Sequence, residues 1–390
     1  MTDAIRYVGV DDHEIDLFEG QYDVPEGMSY NSYVILDDKT AVMDTVDAVK
    51  TDEWLANVKT ALDGRTLDYI VVQHMEPDHS GSFKVIVDEY PDAKIVATAK
   101  AFVMMEQFFE NINLEGRTIE AKEGDTLSLG THTLKFIMAP MIHWPEVMMT
   151  YEESEKLLFS ADGFGKFGAL DFDDPEGWAC EARRYYFGIV GKYGAMVQTL
   201  LKKASALEIE QILPLHGPVL PMPGTELSYY LETYNTWSSY QPETHGVFVA
   251  YASIHGNTAK AAKKLAEMLE ARGEKVAISD ICREDMAECV EDAFRYDRMV
   301  LCASSYDAGV FLPMHDFLNH LTVKTYQNRK VFMMENGTWA PSAARTMKQI
   351  AEGWKNVEVL EPVVTIKSTM KSTDIPNIEA LADAVVAAGK

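Results

Sequence analysis

Apolar and polar positions alternate along this chain in two rhythms. In residues 1–240 strand and helix patterns mix irregularly. "YVILDDKTAVMDTV" predicts two β segments around a turn at Asp37-Asp38. "TDEWLANVKTAL" has helical spacing, with Thr51 as its expected N-cap. "LDYIVVQ" is a buried strand by its length and β-branched content. "SGSFKVIVDEYP" predicts a short helix, "AKIVATA" a strand and "AFVMMEQFFE" a helix. Residues 118–160 predict successive strands, with turns at Gly124-Asp125, Gly130 and Glu152–Glu155. A helix is expected over roughly 175–206, then a strand at "QILPL".

From residue 247 the rhythm becomes regular. The segments "VFVAYAS", "KVAISDI", "RMVLCAS", "KVFMMEN" and "VEVLEPVVTI" read as strands with helices between them and one helix after the last. Five strands so arranged imply an open parallel sheet wound on both faces. The change of pattern near 241–246, just after Pro242, predicts two domains, 1–245 and 246–390. The whole chain is therefore expected to be α/β. There are no internal repeats or low-complexity tracts.

Composition narrows the class. With 390 residues, 47% hydrophobic and 25% charged, each half can bury a core of its own. No apolar run reaches membrane-spanning length, and the acidic start is unlike a secretory signal, so a cytoplasmic protein is expected. Cys180, Cys282, Cys289 and Cys302 form no C-x-x-C pair. That spacing excludes an appended iron–sulfur or rubredoxin-like module. Net charge is −26, unevenly spread. Residues 246–390 carry 17 basic and 19 acidic residues, leaving 18 basic and 42 acidic in residues 1–245. Nucleic acid is not expected as a partner, because phosphates need a basic face.

"VVQHMEPDHSG" crowds His74, Glu76, Asp78 and His79 behind an apolar strand. In extended chain His74 and Glu76 project the same way, whereas the adjacent Asp78 and His79 diverge, which suits a second metal. Pro77 stiffens the loop between the two pairs. Three later segments repeat the layout of apolar strand, ligand and turn: His143 in "APMIHWPE", Asp162 in "LLFSADGFG" and His216 in "ILPLHGP". A single histidine of this kind is usually a hydrogen-bonded structural residue; seven such side chains in order point to metal.

A second constellation opens the other half. In "VFVAYASIHGNTAKAA" a strand runs into Ser253, Ile254, His255, Gly256, Asn257 and Thr258, and a helix follows. Hydroxyls, a glycine and free helix N–H groups make an anion site. It lacks the Lys of a Walker loop and shows no G-x-G-x-x-G. Two further strand ends offer Ser304, Ser305, Tyr306, Asp307 and Gly309, then Asn336, Gly337, Thr338 and Trp339. Tyr306 and Trp339 are candidates to stack on a bound planar ring or to anchor their loops.

The first pattern resembles the metallo-β-lactamase superfamily, whose usual His-x-His-x-Asp-His here carries Glu76 at its second position. That exchange marks the flavodiiron proteins, and the resemblance covers nearly the whole chain. It implies a metallo-β-lactamase-like αββα sandwich followed by a flavodoxin-like five-stranded parallel sheet. It groups His74, Glu76 and His143 on one iron and Asp78, His79 and His216 on the other, with Asp162 bridging. Two imidazoles and one terminal carboxylate per metal suit non-haem iron with open positions; a histidine-richer set suits zinc hydrolysis. Three carboxylates against two Fe²⁺ leave a net charge of about +1. The loop at Ser253–Thr258 resembles the FMN phosphate loop of flavodoxins, which needs no cation, and His255 is expected to shape it. Ser305 departs from that pattern, which has proline there.

The resemblance further implies reduction of O₂ to water, of NO to N₂O, or both. Electrons would come through FMN from an outside donor: rubredoxin, another flavoprotein or a reduced deazaflavin. Docking of an acidic donor is expected near the FMN domain, away from the acidic half. The family implies a head-to-tail homodimer, with pairing into tetramers open. Trp144, Met148 and Met149 are candidates for a gas pocket or for plain core. The rivals are a zinc metallo-hydrolase with a flavodoxin-like regulatory domain and a redox-sensing module that only uses FMN.

Overall fold

A computed structural model describes residues 2–172 and 177–390. The chain divides into two compact units, Met1–Tyr186 with Ala195–Asn235, and Phe187–Gly194 with Thr236–Lys390.

Besides two two-stranded ribbons, Val10–Asp12 with Met28–Tyr30 and Leu17–Phe18 with Tyr22–Asp23, the first unit contains two large sheets whose strands lie side by side in chain order. One holds Ile5–Tyr7, Tyr33–Leu36, Thr40–Met43, Tyr69–Val71, Lys94–Ala97 and Thr118–Glu120. The other holds Thr126–Ser128, Thr133–Met138, Met148–Glu152, Leu157–Phe159 and Gln211–Leu213. Their inner faces share one core, with Tyr33, Met43, Val71 and Val96 from the first and Phe136, Met148, Phe159 and Leu213 from the second. The outer face of the first sheet is covered too, so Thr40–Met43 and Tyr69–Val71 are buried at every position and read as unbroken apolar runs. Helix Thr51–Leu62 buries Trp54, Val58, Ala61 and Leu62. This is the αββα sandwich.

The second unit holds a parallel sheet in the order second, first, third, fourth, fifth strand: Val276–Asp280, Thr244–Ala252, Tyr296–Tyr306, Lys330–Asn336, then a divided last strand. The register is set by Val249↔Ile278, Val249↔Val300 and Val300↔Phe332. The chain reverses direction across the sheet between the first and third strands, which leaves a crevice at their carboxyl ends.

Three expectations need correction. Thr51 is not the N-cap: it is the first helical residue, and its hydroxyl donates to the Ala48 carbonyl at 2.8 Å. The helix expected over 175–206 is Trp178–Tyr185, then a wide turn Tyr186–Val190, a tight turn Gly191–Tyr193 and helix Gly194–Ala204; positions 175 and 176 lie outside the described residues. The break follows the packing, because Phe187 stacks on Phe294 at 4.3 Å within the second unit. The last strand, read as continuous, is two pieces, Glu358–Val359 and Val364–Ile366. Pro362 between them has no N–H to give a ladder.

Candidate metal centre and flavin crevice

Strand Tyr69–Val71 ends three residues before His74, and the backbone then enters a helical turn, Pro77–Ser80, with Pro77 at its first position. Asp78 and His79 therefore sit on a helix, not on extended chain. They converge instead of diverging: His79 Nε2 lies 3.2 Å from Asp78 Oδ2. The other ligand candidates follow strand ends as expected, His143 after Thr133–Met138, Asp162 after Leu157–Phe159 and His216 after Gln211–Leu213.

All seven side chains meet. They form two groups, His74, Glu76, His143 and Asp162 in one, Asp78, His79 and His216 in the other, each with its ligand atoms within 4.8 Å of one another. In the first, Glu76 Oε2 lies 3.2 Å from His74 Nε2 and 2.9 Å from His143 Nε2. In the second, Asp78 Oδ2 lies 3.1 Å from His216 Nε2. Asp162 faces both: Oδ2 is 3.3 Å from His74 and 3.2 Å from His143, while Oδ1 is 3.2 Å from His79 and 3.9 Å from His216.

The cluster fits metal on its own chemistry. Both oxygens of Asp78 and of Asp162, and the Nε2 atoms of His79 and His216, are buried with no hydrogen-bond partner among the described residues. Buried polar atoms are normally satisfied, so this many orphans aimed at one point need a cation. Burial opposes charge on His74, but Asp162, Glu146 and Glu76 outweigh it and hold the imidazole well above the usual histidine range. For His143 burial is likewise overcome, by Asp162 and Glu76, and the pKa rises to about 9. Burial pushes Asp78 up to about 7 and His216 down. Protons held on His74 and His143 are the charges a divalent ion would displace.

In the other unit a cavity of about 580 Å³ opens at the sheet crevice. Ser253, Ile254, His255, Asn257, Thr258, Ser304, Ser305, Tyr306, Asp307, Asn336, Gly337, Thr338 and Trp339 line it. Gly256 and Gly309, also expected there, do not. Gly256 instead supplies the left-handed φ of 81° that starts helix Asn257–Glu270, whose first N–H groups have no side-chain cap. Gly309 pairs with Tyr306 in a short hairpin. Ser253 Oγ is buried without a partner among the described residues, as expected of a hydroxyl meant for a phosphate. Thr258 and Ser304 hydroxyls bond each other at 2.8 Å. Ser305 Oγ accepts the N–H groups of Ser342 and Ala343, so this hydroxyl is engaged by a helix start. Trp339 is 90% exposed. Ala308, Ala340, Ser342 and Ser368 line the cavity without having been anticipated.

A family model described as ODP family beta lactamase matches residues 28–217, and the Flavodoxin model matches residues 249–379. A protein named nitric oxide reductase, from Moorella thermoacetica, is 29% identical over 96% of this chain and 94% of its own. Among solved structures, a flavo di-iron protein of Thermotoga maritima is 25% identical with a TM-score of 0.87, covering 99% of this chain and 96% of that one. The rubredoxin oxygen:oxidoreductase of the anaerobe Desulfovibrio gigas shares the fold at 23% identity and a TM-score of 0.92, covering 100% of this chain and 98% of that one. This chain belongs to the flavodiiron proteins.

A flavodiiron protein carries FMN and a non-haem pair of irons, and several residues that position its cluster escaped the sequence reading. His74 Nδ1 meets Glu146 Oε1 at 2.8 Å. His216 Nδ1 donates to the Ser29 carbonyl at 2.6 Å, and Gly217 N–H to the Ser29 hydroxyl at 2.7 Å. Asn31 Nδ2 donates to the carbonyls of Pro214 and Gly217. The Thr45 hydroxyl holds the His79 carbonyl at 2.7 Å. Glu19, on the turn between Leu17–Phe18 and Tyr22–Asp23, reaches Glu76; burial and that neighbour's charge raise it to about 7. None of these carries a local signal. Met148 belongs to the core, Met149 packs against Gly163, and Trp144 faces His74 edge-on at 5.4 Å.

Proposed function

We propose that the chain is an oxidoreductase reducing NO, O₂ or both at a non-haem diiron site, with electrons delivered through FMN from an external donor. The observation that carries this reading is the split carboxylate of Asp162, one oxygen toward each group. His74, Glu76 and His143 would hold one iron and Asp78, His79 and His216 the other, with Asp162 shared between them. Ser253, Asn257 and Thr258 would hold the flavin phosphate, and Tyr306 and Trp339 would lie beside the ring.

When bound, the irons supply open positions and electrons for a small gas molecule, and FMN feeds electrons to them. The chain's own part is positional. Asp162 fixes the spacing of the two groups. His74, His79 and His216 are fully buried, which excludes bulk water from their side of the site. Glu76, Asp78 and His143 keep a little side-chain exposure, 12%, 10% and 9%, and mark the open side. Trp144 and Phe108, stacked with rings 6.4 Å apart, wall that opening with apolar surface suited to a neutral gas. The zinc-hydrolase alternative is disfavoured by Glu76, which replaces the imidazole that zinc hydrolysis favours.

A head-to-tail homodimer would bring the flavin of one copy to the irons of its partner. It is supported by exposed apolar side chains beside each site, Trp339 and Tyr306 at the crevice and Phe108 against Trp144. The donor is rubredoxin or a comparable one-electron carrier, docking on the less acidic half. No helix among the described residues is long and apolar enough to cross a membrane. A cytoplasmic setting is supported by the four cysteines, none of which is in a disulfide.

The test is anaerobic. The purified chain should contain two irons and one FMN, and with a reduced donor it should consume NO or O₂ over many turnovers. Zinc in the active preparation, or flavin oxidation without gas consumption, would refute the reading. Sedimentation should show a dimer.

A further inference from the structure

Three histidines of the cluster have their Nδ1 atoms in unlike surroundings. His74 Nδ1 meets a carboxylate, Glu146 Oε1, at 2.8 Å, and the Met75 N–H donates to the same oxygen at 2.9 Å. His216 Nδ1 donates to a neutral carbonyl, that of Ser29, at 2.6 Å. His79 Nδ1 has no hydrogen-bond partner among the described residues.

Glu146 is built into the protein at both ends. Its carbonyl accepts the Thr98 hydroxyl at 2.9 Å, and that hydroxyl in turn caps helix Ala99–Phe108 by accepting Ala101 N–H. The side chain is wholly enclosed. Its second oxygen, Oε2, is buried without a hydrogen-bond partner among the described residues. Burying a carboxylate with an idle oxygen is costly unless positive charge lies close by. A cation on the far side of the His74 ring would provide it. A carboxylate behind an imidazole makes the other ring nitrogen a stronger donor to metal, whereas a carbonyl does so less.

We propose that Glu146 is a positioning residue that makes the two metal subsites unequal: acting through His74, it strengthens only the subsite of His74, Glu76 and His143, which holds its ion more tightly than the subsite of Asp78, His79 and His216. This rests on the ligand assignment made above. Each subsite has two histidines and one terminal carboxylate, with Asp162 shared, so the first-contact atoms do not distinguish them. The difference in charge behind the imidazoles does.

Glu146→Gln isolates that charge. Oε1 alone accepts both hydrogen bonds, and an amide oxygen can do the same. The metal-free full-length chain is titrated with Co²⁺ under argon, following the visible absorption of the bound ion. The unaltered chain should take up two ions in two distinguishable steps. E146Q should weaken the tighter step by about 10- to 100-fold and leave the other within about twofold. In a His216→Ala background, which cripples the second subsite, E146Q should still weaken the remaining ion; in a His143→Ala background it should not. E146D, which keeps the charge on a shorter arm, should fall between, and it gives the answer if circular dichroism shows E146Q misfolded. Equal weakening of both steps, or no change in either while two ions still bind, would overturn the inference and leave the proposed function standing. Fewer than two Co²⁺ per unaltered chain would instead sink the ligand assignment itself.

Discussion

His216 donates its Nδ1–H to the backbone carbonyl of Ser29 at 2.6 Å, and that bond turns Nε2 toward Asp78. The same serine's hydroxyl accepts the Gly217 N–H at 2.7 Å. Ser29→Ala keeps the carbonyl but orphans a buried N–H, which should cost about 1–3 kcal/mol. Denaturant unfolding of the metal-free chain should show that loss, and metal analysis should show a lower second-ion content.

Glu76 is the residue that separates this site from the histidine-rich zinc pattern. Glu76→His should leave two ions bound but shift them toward zinc, because a third imidazole replaces the carboxylate. Metal analysis after expression with both metals supplied should show a falling iron-to-zinc ratio and falling gas reduction together. A ratio that stays put would mean Glu76 does not choose the metal.

Chelation tests how far the ions hold the sandwich together. Without them, the buried carboxylates Asp78 and Asp162 keep their orphaned oxygens. A ligand present at about 1,000 times its dissociation constant stabilises the folded state by about 4 kcal/mol. Calorimetry should show the transition of the first unit falling after chelation, with the flavin-binding unit little changed.

Ser305 accepts the Ser342 N–H at 2.8 Å and so closes the start of helix Ala343–Ala351 from a neighbouring strand. Ser305→Ala should cost roughly 1 kcal/mol, the usual loss of a helix cap. FMN affinity, read by fluorescence titration, should change less than about threefold, since the hydroxyl serves the helix and not the flavin.

His132 offers a pH test away from the metal ligands. Burial opposes its charge, but hydrogen bonds to Asp37 at 2.8 Å and to Glu155 at 3.4 Å outweigh this and raise its pKa. A raised histidine contributes stability that is complete below its unfolded pKa and is lost as pH rises through the folded one. The stability difference between the unaltered chain and His132→Gln should therefore be largest near pH 5 and shrink above about pH 6.5. A difference that grows with pH would contradict the assignment.

Much of this was readable in advance, for a local reason. An apolar run that stops at a polar ligand and a turn is a short-range pattern, and it marked His74, His143, Asp162 and His216. The regular strand–helix rhythm of residues 247–390 marked the parallel sheet. Local reading failed where packing overrode propensity. Phe187 on Phe294 broke an apparently continuous helix, and Pro77 wound Asp78 and His79 into a helical turn that brought them together.

The chain by itself determined which side chains could bind metal, where a phosphate could sit, and that iron suits the donor set better than zinc. The tertiary structure alone decided what stands behind those donors. Ser29 and His216 are 187 residues apart, Glu146 and His74 are 72 apart, and nothing in the neighbouring residues of either announces the other. Hydrogen bonds of this kind join distant segments: Glu146 and His74 follow strands of the two opposed sheets, and Ser29 lies on a short strand outside both. They exist only once the backbone has folded, and they set the orientation and charge of each imidazole.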